Sequence, residues 1–107
     1  MPKRKLIAVT ACAMGVAHTY MAEKALINAA KKMGVLIKVE TQGATGIGHE
    51  LTPKDIQIGE AVIFATDTQV RDKEKFDGKK ILSVQVSDPI KDGEKVIQEA
   101  LDLADGK

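Results

Sequence analysis

Two runs in this chain, Leu6-Ile7-Ala8-Val9 and Ala61-Val62-Ile63-Phe64-Ala65, are apolar at every position. A strand with one face in water alternates, so an unbroken apolar run of this length is expected where a strand is covered on both faces. Between the two runs lies a segment of helical period. Ala22, Ala25, Leu26, Ala29, Ala30 and Met33 step by three and four, while Glu23, Lys24, Asn28, Lys31 and Lys32 occupy the other side. Doubly covered strands joined through a helix run parallel, because a crossover is needed to bring the chain back to the same edge.

The remaining elements fit this frame. Gly34 stands where a left-handed cap ends the helix. Val35, Ile37 and Val39 alternate as in a second strand, and Gln42 to Gly48 is glycine-rich and reads as a loop. Thr52-Pro53-Lys54-Asp55 supplies an N-cap, a proline at the first helical position and an acid three residues on, and Gly59 keeps that helix short. Ala61–Ala65 is the third strand, Phe76-Asp77-Gly78 the exit of a short helical turn, and Ile81 to Val86 the fourth strand. Ser87-Asp88-Pro89 caps a last helix whose Ile90, Ile97, Ala100, Leu101 and Ala104 share a face. The predicted fold is α/β: a three-layer, Rossmann-like sandwich of a four-stranded, mainly parallel sheet with helices on both faces. At 107 residues, one domain spanning 1–107 is expected.

Composition narrows the function classes. Sixteen Lys and Arg nearly cancel fifteen Asp and Glu, so nothing in the net charge points to nucleic acid. With no Trp, one Tyr and two Phe, a base-stacking platform is also not expected. A single cysteine excludes an intrachain disulfide. The basic start Lys3-Arg4-Lys5 and the uncharged stretch Leu6–Ala22 resemble a signal peptide, and Val9-Thr10-Ala11-Cys12 resembles a lipoprotein box. The apolar part before Cys12 is too short for that role, and Thr10, His18, Thr19 and Tyr20 interrupt any membrane span, so a cytosolic protein is expected.

Right-handed crossovers put the segment after the first strand at the carboxyl edge of the sheet, where open α/β sheets bind ligands. That segment is Cys12 to Thr19. Cys12 ends the strand, Gly15 lies in the turn, and the helix begins just beyond. Unpaired amides and the helix dipole make such a turn an anion site, and the same field favours an anionic, nucleophilic sulfur. Cys12, five residues and then His18-Thr19 reproduce the frame of the phosphatase loop Cys-x5-Arg-Ser/Thr, with histidine in place of arginine. Imidazole cannot copy the bidentate guanidinium fork, though His18 can donate one hydrogen bond and Thr19 can donate its hydroxyl to the sulfur.

At these residues the sequence resembles the fructose-type enzyme IIB components of the bacterial phosphoenolpyruvate-dependent sugar phosphotransferase system. Their phosphorylation loop usually reads Cys-Pro-Thr-Gly-Ile/Val-Ala-His-Thr, and Cys12-Ala13-Met14-Gly15-Val16-Ala17-His18-Thr19 is similar at six of eight positions. The likeness continues through Tyr20-Met21-Ala22, Lys38-Val39-Glu40-Thr41-Gln42-Gly43, Gly46-Ile47, Leu51-Thr52 and Phe76-Asp77-Gly78-Lys79. It implies a phosphocysteine at Cys12, formed from a IIA phosphohistidine and passed to fructose or a fructose-like sugar on the membrane-embedded IIC permease. Residues Ala13, Met14, Gly15, Val16, Ala17, His18 and Thr19 would then bind the phosphoryl group. It also implies a cytoplasmic protein reaching the inner face of the membrane through IIC, with no cofactor, no nucleic-acid partner and no membrane insertion of its own. Ala13 and Met14 depart from the usual Pro-Thr: one restores an amide donor, the other removes a hydroxyl.

Two other readings of the loop stand beside this one. A small cysteine phosphatase or an arsenate-reductase-like enzyme would use the same frame, but its clamping arginine is missing, since the chain's arginines are Arg4 and Arg71. A non-catalytic interaction or sensory domain would simply pack Cys12. Elsewhere, His49 has no second cysteine or nearby histidine to complete a metal site. Asp67, ending the third strand at the same sheet edge as Cys12, is placed to shape the site or contact a partner but reads first as a turn residue. Asp88-Pro89 reads as a helix start, and the charged run Asp72–Lys75 as a solvated face.

Overall fold

The computed structural model describes residues 3–13, 16–43 and 46–107. Its elements are β1 (Lys5–Ala11), α1 (Val16–Lys32), β2 (Leu36–Gly43), β3 (Gly46–Gly48), α2 (Pro53–Ile58), β4 (Val62–Thr66), a 3-10 helix (Lys73–Phe76), β5 (Ile81–Val84) and α3 (Ser87–Ala104). The α/β class and the three layers are as expected. The sheet is not: it has five strands in the order β3-β2-β1-β4-β5 and is mixed. The β2–β1, β1–β4 and β4–β5 pairs are parallel, whereas β3 pairs antiparallel with β2 through Thr41–Gly48, Gln42–Ile47 and Gly43–Gly46. The glycine-rich segment predicted to be a loop is therefore partly an edge strand. Its period-2 signal is lost because two of the three residues of β3 are glycine.

Both apolar runs are strands buried on both faces. On one face Leu6, Ala8, Ile63 and Ala65 pack against Leu26, Ala29 and Ala30 of α1 and Val96, Ile97, Ala100 and Leu101 of α3. On the other, Ile7, Val9, Val62 and Phe64 meet Leu51, Ile56 of α2, Val70 and Phe76. That second layer is thin, and Phe76 anchors it edge-on to Phe64, with ring centroids 5.3 Å apart. Gly34 takes the left-handed conformation (φ +72°) that turns α1 into β2. Thr52 and Asp55 close a reciprocal capping box over α2, with Pro53 in the first turn.

The last helix differs from the expectation. Asp92 breaks its backbone (φ −156°, ψ 84°), and its carboxylate accepts the Lys95 amide at 3.1 Å. Asp92 is thus the N-cap of the long arm, while Asp88 accepts only the Gln85 amide in the turn before it. Gly93, directly after the break, is where α3 crosses α1: a Cβ there would lie 2.9 Å from the Ala25 carbonyl oxygen. Among the described residues no helix is long and apolar enough to cross a membrane.

Candidate active site

The strand order places the site. The chain leaves β1 toward β2 on one side and later returns to β4 on the other, so the carboxyl ends of β1 and β4 flank the switch point where such sheets bind ligands. Ala11 is in register with Gln42 of β2 and Thr66 of β4. The next residues on the two central strands, Cys12 and Asp67, are therefore brought side by side, and the Asp67 amide donates to the Ala11 carbonyl at 3.2 Å.

Cys12 is a free, half-buried thiol. It opens on a cleft lined by Ala11, Cys12, Ala13, Gln42, Gly43, Thr68, Gln69 and Arg71. Its Sγ donates to Asp67 Oδ2 at 3.2 Å, and the adjacent Ala13 amide donates to Asp67 Oδ1 at 3.0 Å. These two bonds, the amide first and the thiol second, hold the Asp67 carboxyl below the usual carboxylate range. His18, in the first turn of α1, places Nδ1 at 4.0 Å from the sulfur. No acidic residue occupies that first turn.

Of the predicted loop residues, Cys12, Ala13 and His18 come together. Ala17 is exposed at the start of α1, and Val16 begins the helix. Met14 and Gly15 lie outside the described residues. Thr19 is buried, and among the described residues its hydroxyl has no hydrogen-bond partner, so it does not make the predicted bond to sulfur. Arg4 is held by Glu60 and Asp105 at the amino edge of the sheet, away from the cleft. Arg71, by contrast, lines the cleft.

A second layer of polar groups holds the mouth of the cleft. Glu40, fully buried on β2, accepts Lys75 Nζ at 2.7 Å, the Leu51 amide at 2.9 Å and Gln42 Nε2 at 2.7 Å. Gln42 in turn grips the Arg71 backbone in both directions: Oε1 accepts its amide at 2.7 Å and Nε2 donates to its carbonyl at 3.1 Å. Lys75, predicted as part of a solvated charge run, is instead the counter-ion of a buried carboxylate. Asp67, predicted as a turn residue, touches the candidate nucleophile. The signal for Asp67 was its place directly after a central strand. For Glu40 the sequence points the other way, since the alternation of Val35, Ile37 and Val39 puts it on the opposite face of the strand, and only the structure shows it buried. His49 stays at the surface, 3.0 Å from Glu23, and no metal-type cluster is found among the described residues.

Comparison with known proteins identifies the family of the chain. Residues 7–99 match the family model described as "PTS system, Lactose/Cellobiose specific IIB subunit". The "PTS system fructose-like EIIB component 2" of Escherichia coli K12 is 51% identical over 87 residues, covering 81% of this chain and 82% of that protein. The "PTS system fructose-specific EIIABC component" of Bacillus subtilis is 48% identical over 99 residues; the match takes in 92% of this chain but only 15% of that much longer protein. Among solved structures, a domain of a fructose-specific IIABC component from Borrelia burgdorferi superposes with TM-score 0.88 at 42% identity, covering 94% of this chain and 96% of that domain. The solution structure of an uncharacterized protein gives 0.92 at 72% identity, covering 99% and 100%. A cysteine at the end of a central parallel strand, the Glu40–Gln42 strut beside it and these matches make one assignment: the chain belongs to the IIB family of the sugar phosphotransferase system, a family of phosphoryl-transfer domains.

Proposed function

We propose that residues 1–107 work as one IIB domain in which Cys12 carries a phosphoryl group from a IIA phosphohistidine to fructose or a fructose-like sugar held by a IIC permease. The domain would act at the cytoplasmic face of the membrane, with IIA and IIC as its partners. The observation that carries this reading is the half-buried Cys12 sulfur at the switch point, beside an amide that already holds a carboxylate oxygen. In the first step Sγ attacks phosphorus, the S–P bond forms, the N–P bond of the donor breaks and the imidazole departs. The thiol proton passes to solvent or to a neighbouring base. In the second step a sugar hydroxyl attacks the same phosphorus, the hydroxyl proton is lost and the thiolate leaves. Neither step needs covalent help from the protein beyond the sulfur, so positioning and main-chain electrostatics supply the rate.

The residues proposed to surround the phosphoryl group are Ala13, Met14, Gly15, Val16, Ala17, His18 and Thr19. Among the described residues of this loop, the Ala13 amide already donates to an anionic oxygen, at 3.0 Å. His18 is near enough to sulfur to reach a phosphoryl oxygen attached to it.

The test is phosphorylation from phosphoenolpyruvate through the upstream carriers and a matched IIA. Intact-mass analysis should show a single phosphoryl adduct, localised to Cys12 and lost in Cys12→Ser. A folded protein that gains no adduct from a competent IIA refutes the proposal. Turnover of an aryl phosphate that depends on Cys12 would transfer the site to the phosphatase class instead.

A further inference from the structure

Asp67 has no part in the transfer as written above, yet among the described residues its side chain makes the shortest polar contact to the Cys12 sulfur, 3.2 Å against 4.0 Å for His18. Both of its oxygens are engaged, one by the Cys12 thiol and one by the Ala13 amide. A carboxylate oxygen 3.0 Å from a loop amide occupies the kind of position a phosphoryl oxygen takes when its phosphorus is bonded to the neighbouring sulfur. The other groups at the mouth do not compete for this place. His18 is 4.0 Å from sulfur on α1, the side-chain amide of Gln42 on β2 is consumed by Glu40 and the Arg71 backbone, and Arg71 is a further lining residue of the cleft.

We propose that Asp67 is the resident anion of the unphosphorylated loop: its carboxylate fills the Ala13 amide and holds the thiol, and an incoming phosphoryl group must displace it. The inference rests on the carrier reading of Cys12 and adds selectivity to it. Free phosphate and phosphate esters meet a fixed negative charge beside the nucleophile and find the amide taken. A donor protein that delivers the phosphoryl group from a reactive N–P bond forms the S–P bond and pushes the Asp67 side chain aside. Its backbone can stay in place, because the Asp67 amide remains bonded to Ala11. No proton transfer to Asp67 is required.

The experiment uses the whole chain labelled with 15N, with inorganic phosphate as the probe. In wild type the Ala13 amide should be nearly silent to added phosphate. In Asp67→Asn, which keeps the shape and removes the charge, the same amide should shift with an apparent affinity about tenfold tighter or more, the scale expected when one like charge is removed at contact distance. Iodoacetamide should alkylate Cys12 faster in Asp67→Asn at neutral pH, because the sulfur no longer faces an anion. Asp67→Glu restores the charge and should return both readouts toward wild type, which a merely structural role would not do. Asp72→Asn, an exposed carboxylate outside the cleft, serves as the charge control and should change neither. If Asp67→Asn leaves phosphate affinity and alkylation unchanged, or if Asn and Glu behave alike, the inference is overturned. Phosphorylation of wild type by IIA, run in parallel, separates the two failures: its absence removes the carrier reading, whereas its presence with an inert Asp67→Asn removes only this one.

Discussion

Replacing Lys75 by Met tests whether the Glu40 strut is a true buried ion pair. Lys75 Nζ sits 2.7 Å from Glu40 Oε1, with the glutamate side chain wholly inaccessible and the lysine side chain 21% exposed. Removing one partner of a buried pair costs about 3–5 kcal/mol, because the remaining charge keeps its desolvation penalty and loses its counter-ion. Glu40 would retain the Leu51 amide and Gln42 Nε2, and the ammonium is not fully desolvated, so the lower end, about 3 kcal/mol, is expected. With an unfolding entropy of about 2.1 cal/mol/K per residue over 107 residues, that loss lowers Tm by about 13 °C. Urea unfolding followed by circular dichroism should show the drop in midpoint with an unchanged slope. The double variant Glu40→Gln/Lys75→Met should be more stable than the sum of the two singles by about 1 kcal/mol or more, since it removes both charges together. A loss below about 1 kcal/mol for Lys75→Met, or strict additivity, would place the pair in the class of exposed ion pairs and refute the reasoning.

Further expectations follow from other contacts. Gly93→Ala would set a methyl 2.9 Å from the Ala25 carbonyl oxygen and 3.1 Å from Ala29 Cβ, so despite the better helix propensity it should destabilise by about 1–2 kcal/mol in thermal unfolding. Asp55 is held down to about 2 by Lys38 first and the Thr52 amide second. A carboxyl depressed in the folded state stabilises above its unfolded value and loses that effect as pH falls toward its folded value. The stability difference between wild type and Asp55→Asn should therefore persist at neutral pH and shrink from the ordinary 3.8 down to about 2. A difference independent of pH across that window would count against the capping-box ion pair. His18→Ala should still be phosphorylated on Cys12, with slower transfer or a shorter-lived adduct; wild-type kinetics in both steps would remove His18 from the mechanism.

What the sequence made visible is what local chemistry determines. β1 and β4 announce themselves because a strand covered on both faces has no polar position to spare, and α2 because Thr52, Pro53 and Asp55 are all its cap requires. β3 is hidden because three residues with two glycines carry no pattern; only pairing with Thr41–Gly43 makes them a strand. In α3 the apolar period runs on past Asp92, so the break is invisible until the Asp92 carboxylate is seen on the Lys95 amide. The same division holds at the site. Cys12 is nominated locally, by its place between a strand and a helix together with Gly15 and the His18-Thr19 frame. Asp67 is its partner only through the parallel register of β1 and β4, across 55 residues, and Lys75 meets Glu40 across 35. Pairings of that range follow from the strand order, which no short motif encodes.

The charge arrangement distinguishes a carrier from a hydrolase. A phosphatase built on a cysteine loop clamps the phosphoryl oxygens with an arginine fork and protonates the leaving group with an acid; both lower the barrier for any substrate small enough to enter. Here the arginine position of the loop is His18, and a carboxylate, not a guanidinium, lies against the nucleophile. Arg71, the arginine that lines the cleft, lies outside the Cys12–Thr19 loop, with its backbone fixed by Gln42. Such a site gives little to a freely diffusing phosphate ester. On the proposed function that is an advantage: the loop cradles a phosphoryl group waiting on sulfur without the arginine fork that would orient it for attack by water, so the reaction goes forward only when a partner protein supplies the remaining orientation.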